Sequence, residues 1–195
     1  TFMEKGLKLF KIQKYDEAIP YFKNTIKSLE QFNNQNSAAA AEAGTKGLII
    51  NTMELLAGCL LYTKKYEELI TYLDKALLTN PNNDNFLYKK SRALHELGKH
   101  DEGLVCISKA LIIKPENNML WNTKGNLFFQ LLKYEEAIIC FDKALEIEPD
   151  NPTHLSNKGE CLDKLLKYAE SISYYEKALE KDPNNEKIQK DLDAV

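Results

Sequence analysis

Residues 118–151 read NMLWNTKGNLFFQLLKYEEAIICFDKALEIEPDN. Trp121, Gly125 and Phe128 fall at i, i+4 and i+7, and so do Ala137, Phe141 and Ala144. On an α-helix each set lies on one face, so the stretch predicts two amphipathic helices, each with a single apolar stripe. The stripes face each other. Small side chains at Gly125, Ala137 and Ala144 let the two helices approach closely, with Trp121 and Phe141 expected to fill the space around them. Pro149 blocks continuation of the second helix, and the flanking asparagines supply turn and cap chemistry.

The same pattern recurs along the chain. Prolines stand at Pro81, Pro115, Pro149 and Pro183, a constant step of 34, each after a similar run: DKALLTNP, SKALIIKP, DKALEIEP and EKALEKDP. A fixed period of this length marks a repeat array, in which each unit buries its apolar face against its neighbours. The register gives units at 50–83, 84–117, 118–151 and 152–185. An irregular earlier unit spans 1–32, with Gly6, Leu9, Tyr15, Ala18 and Phe22 at matching places. The last segment, 186–195, carries Ile188, Leu192 and Val195 at helical spacing and reads as a capping helix or the first helix of a missing repeat.

Between the first two units lies an insertion, NNQNSAAAAEAGTKGLI, residues 33–49. Phe32–Asn36 is expected to turn, and Ser37 before the alanines to open a helix that lengthens the first helix of the second unit. Gly44 and Gly47 are expected to kink or break it.

The unit at 118–151, with Trp121, Gly125, Phe128, Tyr134, Ala137, Phe141, Ala144 and Pro149, resembles the tetratricopeptide repeat family. The resemblance implies an all-α fold: a right-handed solenoid of about five helix-turn-helix repeats plus a terminal helix, forming one array over residues 1–195. It also implies that the first helix of each repeat lines a concave groove that receives a protein or peptide. In three units those groove positions are Asn85, Tyr88, Lys89, Arg92 and His95, then Met119, Asn122, Thr123, Asn126 and Phe129, then Thr153, Ser156, Asn157, Glu160 and Asp163. Tyr88, Lys89, Arg92, Asn122, Asn126, Phe129 and Asn157 are the candidate partner contacts. Asparagine amides both donate and accept, so they can pair with an extended peptide, and tyrosine and arginine are typical of binding hot spots.

Leu7, Phe10, Leu55 and Leu61 make the first repeats apolar and are a candidate contact surface, since large apolar patches usually mark contacts. The long helices there are similar to those of immunophilin-type chaperone cofactors, whose tetratricopeptide domains grip acidic C-termini with a clamp of lysines, asparagines and an arginine. Carried over by position, the clamp falls on Met3, Leu7, Leu55, Asn85 and Lys89, of which Lys89 alone suits the chemistry. In a second register it falls on Asn122, Asn126, Asn157, Lys187 and Asp191. There Asn126, Asn157 and Lys187 match, while Asp191 opposes a carboxylate. The resemblance thus implies a non-catalytic scaffold or adaptor in a multi-protein complex. A chaperone cofactor, or a permanent subunit of an assembly such as a ciliary complex, are the alternatives.

The 195 residues carry a net charge of −3 with both signs interspersed, which removes the electrostatic reason to expect nucleic acid. No run of about 18 apolar residues occurs, so no membrane insertion is expected. Cys59, Cys106, Cys140 and Cys161 have no C-x-x-C spacing; they are expected as small buried residues in a reducing, cytoplasmic setting, with a cytoskeletal or ciliary association as the narrower alternative. The stretch HELGKH, residues 95–100, approaches the zinc-binding H-E-x-x-H. Its histidines are five apart, however, and so point about 140° from each other on a helix. No metal, no cofactor and no catalytic residue is expected, there being no glycine-rich phosphate loop or G-x-S-x-G elbow. The chain opens on Thr1 and is expected to be a processed chain or part of a longer one.

Overall fold

The computed structural model describes residues 1–35 and 39–195, and side chains up to Gln35 and again from Gly44. Every described regular element is an α-helix. The chain forms two compact units, Thr1–Leu97 and Gly98–Val195.

The first unit holds α1 (Phe2–Lys11), α2 (Tyr15–Gln35), α3 (Ala39–Tyr62), α4 (Tyr66–Thr79) and α5 (Asp84–Glu96). Thr1 and Glu4 close a capping box at the start of α1, each satisfying a backbone N–H of the other. Ala18, Phe22 and Ile26 of α2, Leu56, Cys59 and Leu60 of α3, Leu69 and Leu73 of α4, and Phe86 of α5 are buried in one core. Two helices are long: α2 has 21 residues and α3 has 24, against 14 in α4 and 13 in α5.

The insertion behaves differently from its local composition. The turn expected over Phe32–Asn36 is absent as far as Gln35, where α2 is still helical. Asparagine costs only about 0.7 kcal/mol of helix propensity, which packing against α3 outweighs. The opening of a helix at Ser37 lies outside the described residues. Gly44 and Gly47 neither break nor end α3, which runs through both.

The second unit holds α6 (His100–Ile113), α7 (Asn118–Gln130), α8 (Tyr134–Ile147), α9 (Pro152–Lys164), α10 (Tyr168–Lys181) and α11 (Glu186–Asp193). Sequence period becomes structure directly. α5, α7, α9 and α11 start at residues 84, 118, 152 and 186, and α4, α6, α8 and α10 at residues 66, 100, 134 and 168. Asn83, Asn117, Asn151 and Asn185 each cap the helix that follows, their side-chain oxygens accepting its first free N–H groups. Phe141 is buried against Gly125 as expected, but Trp121 is half-exposed, its Nε1–H donating to the carbonyl of Pro115 at 2.7 Å. Ile188 of α11 is buried with Leu155, Tyr175 and Ala178.

After α1, α3, α5, α7 and α9 the chain passes through one left-handed residue: Gln13, Lys64, Gly98, Leu132 and Leu166, with φ of 60°, 58°, 73°, 60° and 61°. After Gln13, Lys64, Leu132 and Leu166 the next residue donates its N–H back across the turn, as Lys133 does to Phe128 and Lys167 to Leu162, both at 2.9 Å. Gly98 alone takes this conformation without a Cβ penalty.

Candidate protein-binding surfaces

The predicted contacts fall in two groups, one in each unit. On α5 of the first unit, Lys89 Nζ donates to Asn85 Oδ1 at 2.9 Å, and the Arg92 guanidinium lies 5.7 Å from the centre of the Tyr88 ring. Burial holds the Lys89 ammonium below its ordinary pKa; Glu54 on α3 works against that shift and Arg92 adds to it. Leu7, Phe10, Leu55 and Leu61 are half-buried and pack on the core of their own unit. The Phe10 ring meets Tyr15 and Phe22 edge-on, with centroids 5.4 and 6.3 Å away.

In the second unit α7 and α9 bring Asn122, Asn126 and Asn157 together. The Asn157 amide donates to Asn122 Oδ1 at 2.9 Å and to Asn126 Oδ1 at 3.2 Å. The expectation of peptide-binding amides thus meets a network that first ties the two helices to each other. It consumes the donors of Asn157 and the oxygens of Asn122 and Asn126, and leaves the Asn157 oxygen and the amide hydrogens of the other two to face outward chemistry. Phe129 is half-buried beside them, edge-on to Tyr134 at 5.4 Å.

His154, on the first turn of α9, belongs to this network and was not among the predicted contacts. Its Nδ1 lies 3.2 Å from Asn122 Oδ1, an acceptor, so in this network Nδ1 carries the proton and Nε2 the lone pair. Nε2 is buried with no hydrogen-bond partner, and Glu148 Oε2 stands 3.9 Å from it. Burial pushes the His154 pKa down, against the pull of Glu148. A signal was present in the repeat itself. Positions 86, 120, 154 and 188 are equivalent, and Phe86, Leu120 and Ile188 are core residues there, each at most 3% exposed like His154. Imidazole replaces a hydrocarbon at a core position.

Beside His154 opens a cavity of about 740 Å³ between the capping turns of α7 and α9, lined among others by Lys114, Glu116, Met119, Asn122, Glu148 and Asn151.

A lysine recurs at Lys90, Lys124 and Lys158, and at the first and last of these it braces two helices. Lys90 reaches Asp74 and Lys158 reaches Asp142, both at 2.5 Å and both sixteen residues back. Lys124 has Ser108 at that place, and instead lies over Trp121 and Phe128 at 5.6 and 6.0 Å. All four cysteines are buried thiols. Burial pushes Cys59 and Cys140 up to about 11 and Cys161 to about 12, away from the thiolate that a nucleophile requires. His95 lies on α5 and His100 opens α6. Among the described residues no three or more His, Cys, Asp or Glu are grouped to hold a metal ion. No described helix is long and apolar enough to cross a membrane.

Residues 119–151 and 153–185 match the tetratricopeptide repeat family. These two segments are tetratricopeptide repeats, and the chain as a whole has the fold of tetratricopeptide repeat proteins. MamA of Desulfovibrio magneticus RS-1, from residue 41 to its end, is a structural neighbour at 14% identity, with 95% of each chain covered and a TM-score of 0.76. A tetratricopeptide repeat protein of Parabacteroides merdae ATCC 43184 is 19% identical, with 98% of this chain and 69% of that chain covered and a TM-score of 0.77. The first tetratricopeptide domain of Spaghetti (RPAP3), bound to the HSP90 peptide SRMEEVD, is 26% identical over 57% of this chain and 88% of its own, at a TM-score of 0.55. No curated protein matches the chain. Tetratricopeptide repeats are in general modules of protein–protein interaction, and the paired helices here are of that kind.

Proposed function

We propose that this tetratricopeptide chain is a non-catalytic, cytoplasmic scaffold that holds a segment of a partner protein and so joins a multi-protein complex. The observation carrying the reading is the amide network of Asn122, Asn126 and Asn157. It fixes three polar side chains on two neighbouring helices, with donors and an acceptor left over, and one of the three, Asn122, also lines an open cavity. Side chains already ordered by mutual hydrogen bonds lose little further freedom when a peptide pairs with them. Tyr88, Lys89 and Arg92 supply an aromatic and cationic patch in the first unit.

Crosslinking mass spectrometry on the native protein, purified with its partners, tests this. Links to a partner are expected from Lys124 and Lys164, and the double variant Asn126→Ala, Asn157→Ala is expected to shed that partner. A partner held equally well by the variant would overturn the site, and enzymatic turnover abolished by a point mutation in this chain would overturn the non-catalytic reading.

The likeness to the Spaghetti domain bound to the HSP90 peptide SRMEEVD, which carries two glutamates and an aspartate, favours a second reading, a chaperone cofactor that uses Asn126, Asn157 and Lys187. Asp191 weakens it. That carboxylate lies 3.8 Å from Lys187 Nζ and competes for the charge a peptide carboxylate would need.

A further inference from the structure

Resting on the scaffold reading, we propose that the cavity beside His154 receives a lysine or arginine side chain of the bound segment, so that the second unit selects a basic partner. The site is built around acceptors. The His154 side chain is 4% exposed, its Nδ1 proton is committed to Asn122, and its Nε2 lone pair has no donor. An unmet buried acceptor is unfavourable, and a ligand that brings an N–H relieves it. The second acceptor is the Glu148 carboxylate, which lines the cavity 3.9 Å from Nε2, half-exposed and bonded by the Asn151 amide at 3.1 Å. It can therefore turn with an entering group. A guanidinium or ammonium carries several N–H donors on one positive charge, and bridges a carboxylate and an imidazole lone pair that sit this close. A carboxylate ligand would meet a lone pair and a like charge instead. Met119, 54% exposed on the rim, offers a thioether and methylenes to the aliphatic stem of such a side chain.

The charge around the cavity agrees. Its lining contains Glu116 and Glu148 against the single cation Lys114. The second unit carries thirteen lysines against eighteen aspartates and glutamates, whereas the first carries thirteen cations against eleven. Glu160 and Asp163, further along α9, and Asp191 of α11 act together on Tyr175. The Tyr175 hydroxyl is pushed up, first by burial and then by these three carboxylates. A segment with a cation in the cavity and further basic residues along α9 meets favourable potential throughout.

The test is selection of random twelve-residue peptides displayed on phage against the full chain, followed by affinity measurement of the enriched peptides by fluorescence anisotropy. Enrichment of peptides bearing lysine or arginine is expected. Their affinity should fall about tenfold in Glu148→Gln and in His154→Leu, while Glu176→Gln, an exposed carboxylate on α10, leaves it unchanged. Glu148→Gln keeps the test valid if His154→Leu perturbs folding. Enrichment of acidic peptides, or of basic peptides that bind Glu148→Gln as well as the wild type, overturns the cation pocket and leaves the scaffold reading standing. Failure to enrich any peptide overturns both.

Discussion

A methyl group on Gly125 would stand 2.5 Å from Cε1 of Phe141, closer than any carbon contact allows. The same relation, sixteen residues apart, recurs between Gly6 and Phe22 at 2.8 Å and between Gly159 and Tyr175 at 3.2 Å. Missing side chains on one helix thus admit the aromatic ring of its partner. Gly125→Ala should destabilise the protein by about 1–3 kcal/mol, despite alanine's better helix propensity, because Phe141 is fully enclosed and cannot yield. Gly159→Ala should cost less. Gly47→Ala, in a helix with open space around the position, should instead stabilise by about 0.5–1 kcal/mol. Urea unfolding of the three variants checks the order, and a stable Gly125→Ala would show that the ring is free to move.

The left-handed turn residues give a second expectation. Leu132 and Leu166 hold φ near 60° and are each 70% exposed, so they bear the backbone cost of that conformation without compensating burial. Leu132→Gly and Leu166→Gly should each stabilise by about 1 kcal/mol, and Gly98→Ala should destabilise by a similar amount. Melting temperatures read both signs.

The 34-residue step made helix starts, caps and the buried Phe141 legible, because each follows from a local signal repeated in phase. Two features were not local. Phe32–Asn34 carries turn-prone residues and still extends α2, since contact with α3 settles the matter over a distance in sequence. Asn122, Asn126 and Asn157 were readable as groove residues, but their hydrogen bonds to one another depend on how α7 and α9 lie side by side. His154 was readable only as a break in a core pattern, and its polar character says nothing until Asn122 and Glu148 are placed beside it.

The lysine braces differ in one repeat, and the difference can be repaired. Lys158 sits between Asp142 at 2.5 Å and the Tyr174 hydroxyl at 2.8 Å, with Nζ 4.4 Å from the Tyr174 ring centre. Although burial disfavours its charge, these partners raise its pKa. Lys158→Met should therefore destabilise, by about 1–2 kcal/mol. Ser108 stands where Asp142 does one repeat later, so Ser108→Asp gives Lys124 the missing carboxylate. A gain of up to about 1 kcal/mol is expected, and it should shrink in high salt. A gain insensitive to salt would mean that the new side chain acts by something other than an ion pair.

His154 makes stability depend on pH in a calculable direction. Its folded pKa is depressed by burial, so the unfolded chain, with a histidine near its ordinary value of about 6.5, takes up a proton first as the pH falls. Stability is then full above that value and declines as the pH drops below it toward the folded pKa, because the unfolded state binds more protons there. His154→Leu places at this position the residue found at the equivalent Leu120, and removes the proton linkage. Denaturant unfolding between pH 7.5 and pH 5.5 should show wild-type stability falling and the variant's curve markedly flatter, with the two diverging most at the acid end. Parallel curves would place the imidazole in contact with solvent, and with it the cation site in doubt.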